Sequence, residues 1–173
     1  ARAYFDHAKV RSIYLTTHGG FPERIQAFLD AFARDGLPGQ LILSFSVDNF
    51  EAAHDENRRL PGLYRKALES YRLVRAAGNP RILSNIAITV TDHNHAVVDE
   101  LYTHLKEQEG VAAITAIAMR EEGVVKRIPA ETKAAIAATY RRLTSRILED
   151  QDRGETSGYR GSLIGGMLIA MRP

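Results

Sequence analysis

The chain has 173 residues, 45% of them apolar and 25% charged, with a net charge of +2, no cysteine and no tryptophan. Zero cysteine excludes disulfides, thiolate zinc sites, a cysteine nucleophile and cysteine-ligated iron–sulfur clusters within this chain. The small net charge makes no case for nucleic-acid or membrane steering, and the longest apolar run, near Leu163 to Met171, falls far short of the roughly 20 residues that cross a bilayer.

Residues 1–10 read as the end of a helix, and the sequence begins with Ala1 rather than methionine. Apolar runs then predict strands over Arg11 to Thr16, Leu41 to Val47, Leu83 to Thr91 and Ala112 to Met119. The second and fourth are apolar nearly throughout, as strands covered on both faces are. Helical periodicity lies between and after them, over Pro22 to Asp35, Pro61 to Ala77, His95 to Glu109 and Pro129 to Glu149. Ile25, Phe28, Leu29 and Phe32 share one face of the first helix. Prolines open three of these helices and glycines follow three of them, as helix starts and stops require. Gln151 to Gly161 is polar and glycine-rich and reads as a loop, and Ser162 to Met171 as a last short strand or helix.

Alternation of strand and helix at this spacing predicts an α/β fold of right-handed βαβ units on a parallel sheet. A closed barrel takes eight such units. The expected architecture is therefore a partial (β/α) barrel, or an open parallel sheet of four or five strands, with helices on the outer face. Residues 1–150 form the expected barrel part, lacking its N-terminal strands, and residues 151–173 a glycine-rich linker and short terminal element. The first strand is expected to lie at an exposed sheet edge, open to self-association. With no signal segment and no span, a cytoplasmic protein is expected.

In parallel sheets chemistry gathers where strands end and helices begin. Those places carry Thr17-His18-Gly19-Gly20, then Ser46-Val47-Asp48-Asn49 with His54-Asp55 and Arg58-Arg59, then Asp92-His93-Asn94-His95, then Glu121-Glu122. The stretch Asp48 to Leu60 reads as a long ligand-contacting loop. Gly19-Gly20 makes a turn or lets backbone N–H groups approach an anion; no phosphate-loop or dinucleotide fingerprint accompanies it. Asp92, His93 and His95 offer an imidazole–carboxylate set, or a helix cap and solvated histidines. Arg58 suits a carboxylate ligand, or an intrahelical pair with Asp55, as Arg59 also does. Glu121-Glu122 reads as acid–base groups or a solvated turn. The Ser46 hydroxyl back-bonds to the chain or faces a ligand. No lysine stands at a strand end, as a Schiff-base enzyme of this architecture needs.

The segment from Leu41 to Gly78 resembles the fourth-strand region of radical S-adenosylmethionine (radical SAM) enzymes. Ser46-Val47-Asp48 matches its "SLD", and His54-Asp55 with Arg58 matches its "HD..R". Thr17-His18-Gly19 falls where the family has "TNG", and Asn85 through Thr89 to Asn94 resembles its fifth-strand "N…VT..N". The helix from Pro129 resembles a segment of the peptide-modifying members. The likeness runs over roughly residues 11–145. His18 and Asn49 depart from the pattern. So does the absence of the C-x-x-x-C-x-x-C loop that binds the 4Fe–4S cluster, and of the "GGEP" motif that holds the methionine amine.

The resemblance implies that Ser46 contacts the ribose of S-adenosylmethionine and Arg58 its carboxylate. It implies that Thr17 lines the substrate side, that Ile117 and Ala118 line the adenine pocket, and that Asp48 holds the strand-end turn. The parent enzyme would cleave the cofactor with a 4Fe–4S cluster, whose ligands are absent here, and abstract hydrogen from a peptide or small-molecule substrate. No membrane or nucleic-acid partner is expected. The alternative is a non-catalytic binding or assembly module with a degenerate barrel.

Overall fold

A computed structural model of the chain describes residues 2–36, 39–119 and 128–153. Helix α1 (Arg2–Ala8) leads into strand β1 (Ser12–Thr17). Helix α2 (Pro22–Asp35) follows, then β2 (Gln40–Ser46). Two helices, α3 (Glu51–Arg58) and α4 (Leu63–Ala76), precede β3 (Ile82–Val90). Helix α5 (Val98–Glu107), strand β4 (Ile114–Ala118) and helix α6 (Ala130–Asp152) complete the described elements. The four strands form one parallel sheet in the order β1-β2-β3-β4. The predicted α/β class and open parallel sheet are therefore observed.

Successive side chains of a strand point to opposite faces. Phe45 sets the direction, because its ring meets Tyr71 of α4 edge-on at 6.4 Å. Leu41, Leu43, Phe45 and Val47 thus face the helices, and all are buried. Ile82 and Ile86, opposite Leu41 and Phe45, carry the apolar layer into β3, where buried Ser84 lies opposite Leu43 and Ile88 follows two residues beyond Ile86. Tyr71 also accepts the Ala112 N–H at 2.9 Å, fastening the entry of β4 to α4.

Three expectations change. Asp48 to Leu60 is not a long loop, since most of it folds as α3. That helix is eight residues long with His54 as its buried side chain, too short for apolar periodicity to reveal. Helix α5 starts at Val98 rather than His95, because Thr91 to Asn94 is occupied by a side-chain-bonded turn. Helix α6 runs on to Asp152. Its end is held by buried Asp150, which accepts bonds from the Tyr102 hydroxyl and Arg153 and pairs with Lys106 at 3.2 Å. Gln151 and Asp152 are thus helical. Arg153 caps the helix, its N–H reaching the Glu149 carbonyl at 3.0 Å, and residues 154–161 of the expected loop, the element Ser162 to Met171 and Glu121-Glu122 lie outside the described residues. Among the described residues no helix is long and apolar enough to cross a membrane.

The β1–α2 turn shows how closely the layers approach. Gly19 has φ +68°, and a Cβ there would lie 2.8 Å from Phe45 Cδ1 and 3.0 Å from Ala67 Cα. Its carbonyl accepts the buried Ser70 hydroxyl at 2.7 Å. Gly19→Ala combines left-handed strain with overpacking, and is expected to cost about 3 kcal/mol. Urea unfolding of the variant checks this; an unchanged midpoint would mean the turn does not seat against α4 as described.

Candidate functional site

Even-numbered residues of β2 face away from Phe45 and Tyr71. Register then places a polar row on that face. Thr16, Ser44 and Asn85 are neighbours across β1, β2 and β3, and Ser46, Ala87 and Thr115 across β2, β3 and β4. Asn85 Nδ2 donates to Thr115 Oγ1 at 2.7 Å, while Asn85 Oδ1 and Ser44 Oγ are buried without a partner. Ser46 stands half-buried at the C-terminal end of this row. Ile117 shares the face through its partner Thr89 and is 50% exposed. Thr17 and Ala118 pair with Phe45 and Val90, so register puts their side chains on the helix side. The Thr17 hydroxyl accepts the Gly19 N–H at 3.2 Å and shapes the turn.

Two residues beyond Ser46, Asp48 fastens the strand ends together. Its Oδ1 accepts the Thr89 N–H at 2.8 Å, and its carbonyl accepts Asn94 Nδ2 at 2.6 Å. Its own N–H donates to His54 Nδ1 at 3.3 Å, and its Oδ2 takes the Arg58 guanidinium. Arg58 therefore pairs with Asp48, not with Asp55 one turn back. Asp55 instead accepts the N–H groups of Gly62 at 2.5 Å and Tyr64 at 2.8 Å, capping α4. Arg58 commits one terminal nitrogen to Asp48 and, with 39% of its side chain exposed, keeps the rest of its fork free. A planar guanidinium anchored this way can take a carboxylate on its open side.

His54 is buried with its ring against Tyr64, at 6.2 Å between centroids. Because Nδ1 accepts the Asp48 N–H, the neutral ring carries its proton on Nε2, which is buried without an acceptor. Burial lowers the pKa of His54 below its ordinary value; Asp48 opposes this, Arg58 adds to it and Asp55 opposes it.

Asn94, His93 and the Gly19-Gly20 pair take part in turns and surface contacts. Asn94 is the cap of its turn: it accepts the Thr91 N–H at 2.7 Å and donates to the Thr89 carbonyl at 2.8 Å. His93 lies 3.5 Å from Asp92 on the exposed surface. No cluster of three or more His, Cys, Asp or Glu with metal-binding geometry occurs among the described residues. Gly20 donates to His18 Nδ1 at 3.0 Å, so this glycine pair serves the turn. Ser44 and Thr115 carried no motif. For Ser44 the signal is its alternation with Ser46 in an otherwise apolar strand end, whereas Thr115 is a single polar residue in an apolar strand.

The depressed histidine pKa has a defined consequence. Between its unfolded value near 6.5 and its lower folded value, the unfolded state binds more protons. Stability contributed by neutral His54 is therefore present above about pH 6.5 and is lost as pH falls, by at most about 1.4 kcal/mol per pH unit. Thermal melts from pH 7.5 to 5 are expected to show this slope, and His54→Asn, whose Oδ1 replaces Nδ1 as acceptor, to flatten it. Equal slopes in the two proteins would remove His54 as its source.

No family model matches the chain, and no curated protein matches it. Its fold is similar to that of native anSMEcpe, a radical SAM enzyme solved with bound AdoMet and the Kp18Cys peptide, at a TM-score of 0.54 and 16% sequence identity. The match covers 82% of this chain and 38% of that one. The chain thus spans well under half the length of that enzyme, and the likeness is one of fold: parallel strands in an open sheet with helices around it.

Proposed function

We propose that this chain is the later part of the core barrel of a radical SAM enzyme, and that it contributes Ser46, Arg58 and Ile117 to an S-adenosylmethionine site. The observation that carries this reading is the anchored, open guanidinium of Arg58 at the same strand end as Ser46. Ser46 and Asp48 are two residues apart, so their Cα atoms are separated by about 7 Å, within the span of one nucleotide cofactor. In this reading Arg58 holds the methionine carboxylate, Ser46 the ribose, and half-exposed Ile117 the adenine. Thr17 and Ala118 stand at the same end of the sheet and contribute through their main chain. The peptide bound by the structural neighbour supports a peptide substrate, with a small metabolite as the other class.

The chemistry such a cofactor supplies is hydrogen abstraction from the substrate. This chain's own residues do not fit the iron–sulfur cluster of the family, since it has no cysteine. Under this proposal the cluster ligands and the residues for the methionine amine belong to polypeptide outside the present sequence. The complete lack of cysteine also favours a second reading, a non-catalytic binding module. A stable complex between this chain and a cysteine-bearing barrel half, with no response to the cofactor, would support that one.

Titration of the labelled chain with S-adenosylmethionine tests the first reading. Saturable amide shifts are expected at Ser46, Arg58 and Ile117, with Arg58→Gln weakening affinity by about 10- to 100-fold through loss of a charged hydrogen bond. Shifts confined to other regions, or none at millimolar ligand, would overturn it. The reading also leaves β1 as a sheet edge in this chain, with Leu15 40% exposed and Thr16 exposed. Light scattering is expected to show mass rising with concentration, and Leu15→Lys to suppress the rise by charging the edge. A monomer at every concentration would speak against that association.

A further inference from the structure

We propose that the recess between helices α3, α4 and α5 is a binding site for an alkylammonium group. A cavity of about 330 Å³ opens there. Among the described residues it is lined by Phe50 and Glu51 where α3 begins, Tyr64 and Arg65 in the first turn of α4, and His104 and Glu109 at and just beyond the end of α5. It lies with α4 on the helix side of the sheet, whereas Ser46 faces the other way, so it stands apart from the proposed cofactor site.

Tyr64 is fixed in place with its hydroxyl unused. Its main-chain N–H is held by Asp55 at 2.8 Å, and its ring meets His54 edge-on. The residue is only 4% exposed, yet its hydroxyl is buried without a hydrogen-bond partner. Three of the four charged groups that act on this hydroxyl, Glu109, Glu51 and Arg65, line the same recess, so the oxygen sits among them. An unpaired buried phenol costs stability that a phenylalanine avoids. A donor entering the recess supplies the missing partner.

The field around that oxygen selects the sign of the ligand. Arg65 donates two bonds to Glu51, at 2.6 and 2.8 Å, and the Arg72 guanidinium donates to Glu109. Both carboxylates are therefore paired, but the pairing does not cancel at the phenol. Burial pushes the Tyr64 hydroxyl up to about 12; Glu109 and then Glu51 add to the rise, each more strongly than Arg65 or Arg72 opposes it. The reason is the direction of the pairs. Arg65 and Arg72 have 76% and 56% of their side chains exposed, against 41% and 21% for Glu51 and Glu109. The cations reach toward water and the carboxylates toward the recess, a field that favours a positive ligand.

The remaining walls suit an ammonium on an alkyl chain. The Phe50 and His104 rings stand 5.5 Å apart, tilted by 59°, and ring faces attract a cation. Glu109 Oε1 faces His104 Nε2 at 3.5 Å and has a lone pair to spare. An ammonium brings three N–H donors, for Tyr64 Oη and Glu109 Oε1 among its acceptors, while its carbon chain packs on Phe50.

The test is an amide-shift titration of the whole chain with n-butylammonium chloride, against sodium chloride at matched ionic strength and against 1-butanol, and separately with Nα-acetyllysine amide. Saturable shifts are expected with butylammonium at Phe50, Tyr64, Arg65, His104 and Glu109, with binding at least tenfold weaker in Tyr64→Phe. That variant keeps the ring and removes only the unpaired hydroxyl, so its melting temperature is expected to hold or rise, which separates lost binding from lost folding. Glu109→Gln, with a similar loss expected, serves if Tyr64→Phe does not fold. Tighter binding of the lysine amide would identify a peptide's lysine side chain as the source of the group, and equal or weaker binding a free primary amine. Non-saturating shifts, shifts as large with sodium chloride or butanol, or an affinity unchanged in the variants would overturn the proposal and leave the phenol to water.

Discussion

At the C-terminal end of β2 one aspartate ties three parts of the chain together. Asp48 engages its N–H, its carbonyl and both carboxylate oxygens, with His54, Asn94, Thr89 and Arg58 as partners. Two of those partners belong to β3 and the turn after it, and two to α3. The strand ends are thereby locked in register just where a parallel sheet has no further ladder to hold them. A carboxylate with this many donors is also a fixed anchor for a cation, so the direction of Arg58 follows from the packing of β2 on β3.

The two faces of the sheet divide the labour. On the helix side, Phe45, Tyr71 and their neighbours form an apolar layer so close that Gly19 leaves no space for a methyl group. On the other side, hydroxyls and an amide recur across the four strands, with Asn85 bonded to Thr115 and Ser44 left without a partner. Unpaired buried polar groups cost stability. Ser44 Oγ and Asn85 Oδ1 both lie on this face, side by side in the register, so its composition answers to something besides core packing.

The two ends of the sheet also differ. At the C-terminal end nearly every charge is spoken for: Arg58 by Asp48, Arg65 by Glu51, Asp55 by the α4 cap. At the N-terminal end Lys9 and Arg11 line a cavity and have no side-chain partner among the described residues. Surface charge is therefore arranged by place, which a net charge of +2 conceals.

Element type and order were legible in the amino-acid sequence, because periodicity of apolar residues is a local property. The four strands and the helices α2, α4, α5 and α6 follow from it, as does the parallel α/β class. Ser46, Asp48 and Arg58 were legible as strand-end residues. Tertiary structure alone decided what they do. Asp48 meets Thr89 and Asn94 across 41 and 46 positions of sequence, and no local pattern encodes such a pairing. Asp55 against Arg58 looked like an ordinary one-turn pair. It became a cap because α4 starts beside it, which depends on how α3 closes against the sheet. Ile117 and Ala118 are adjacent in sequence and on opposite faces in space, since a strand turns each successive side chain over and only the packed helices say which face is inside.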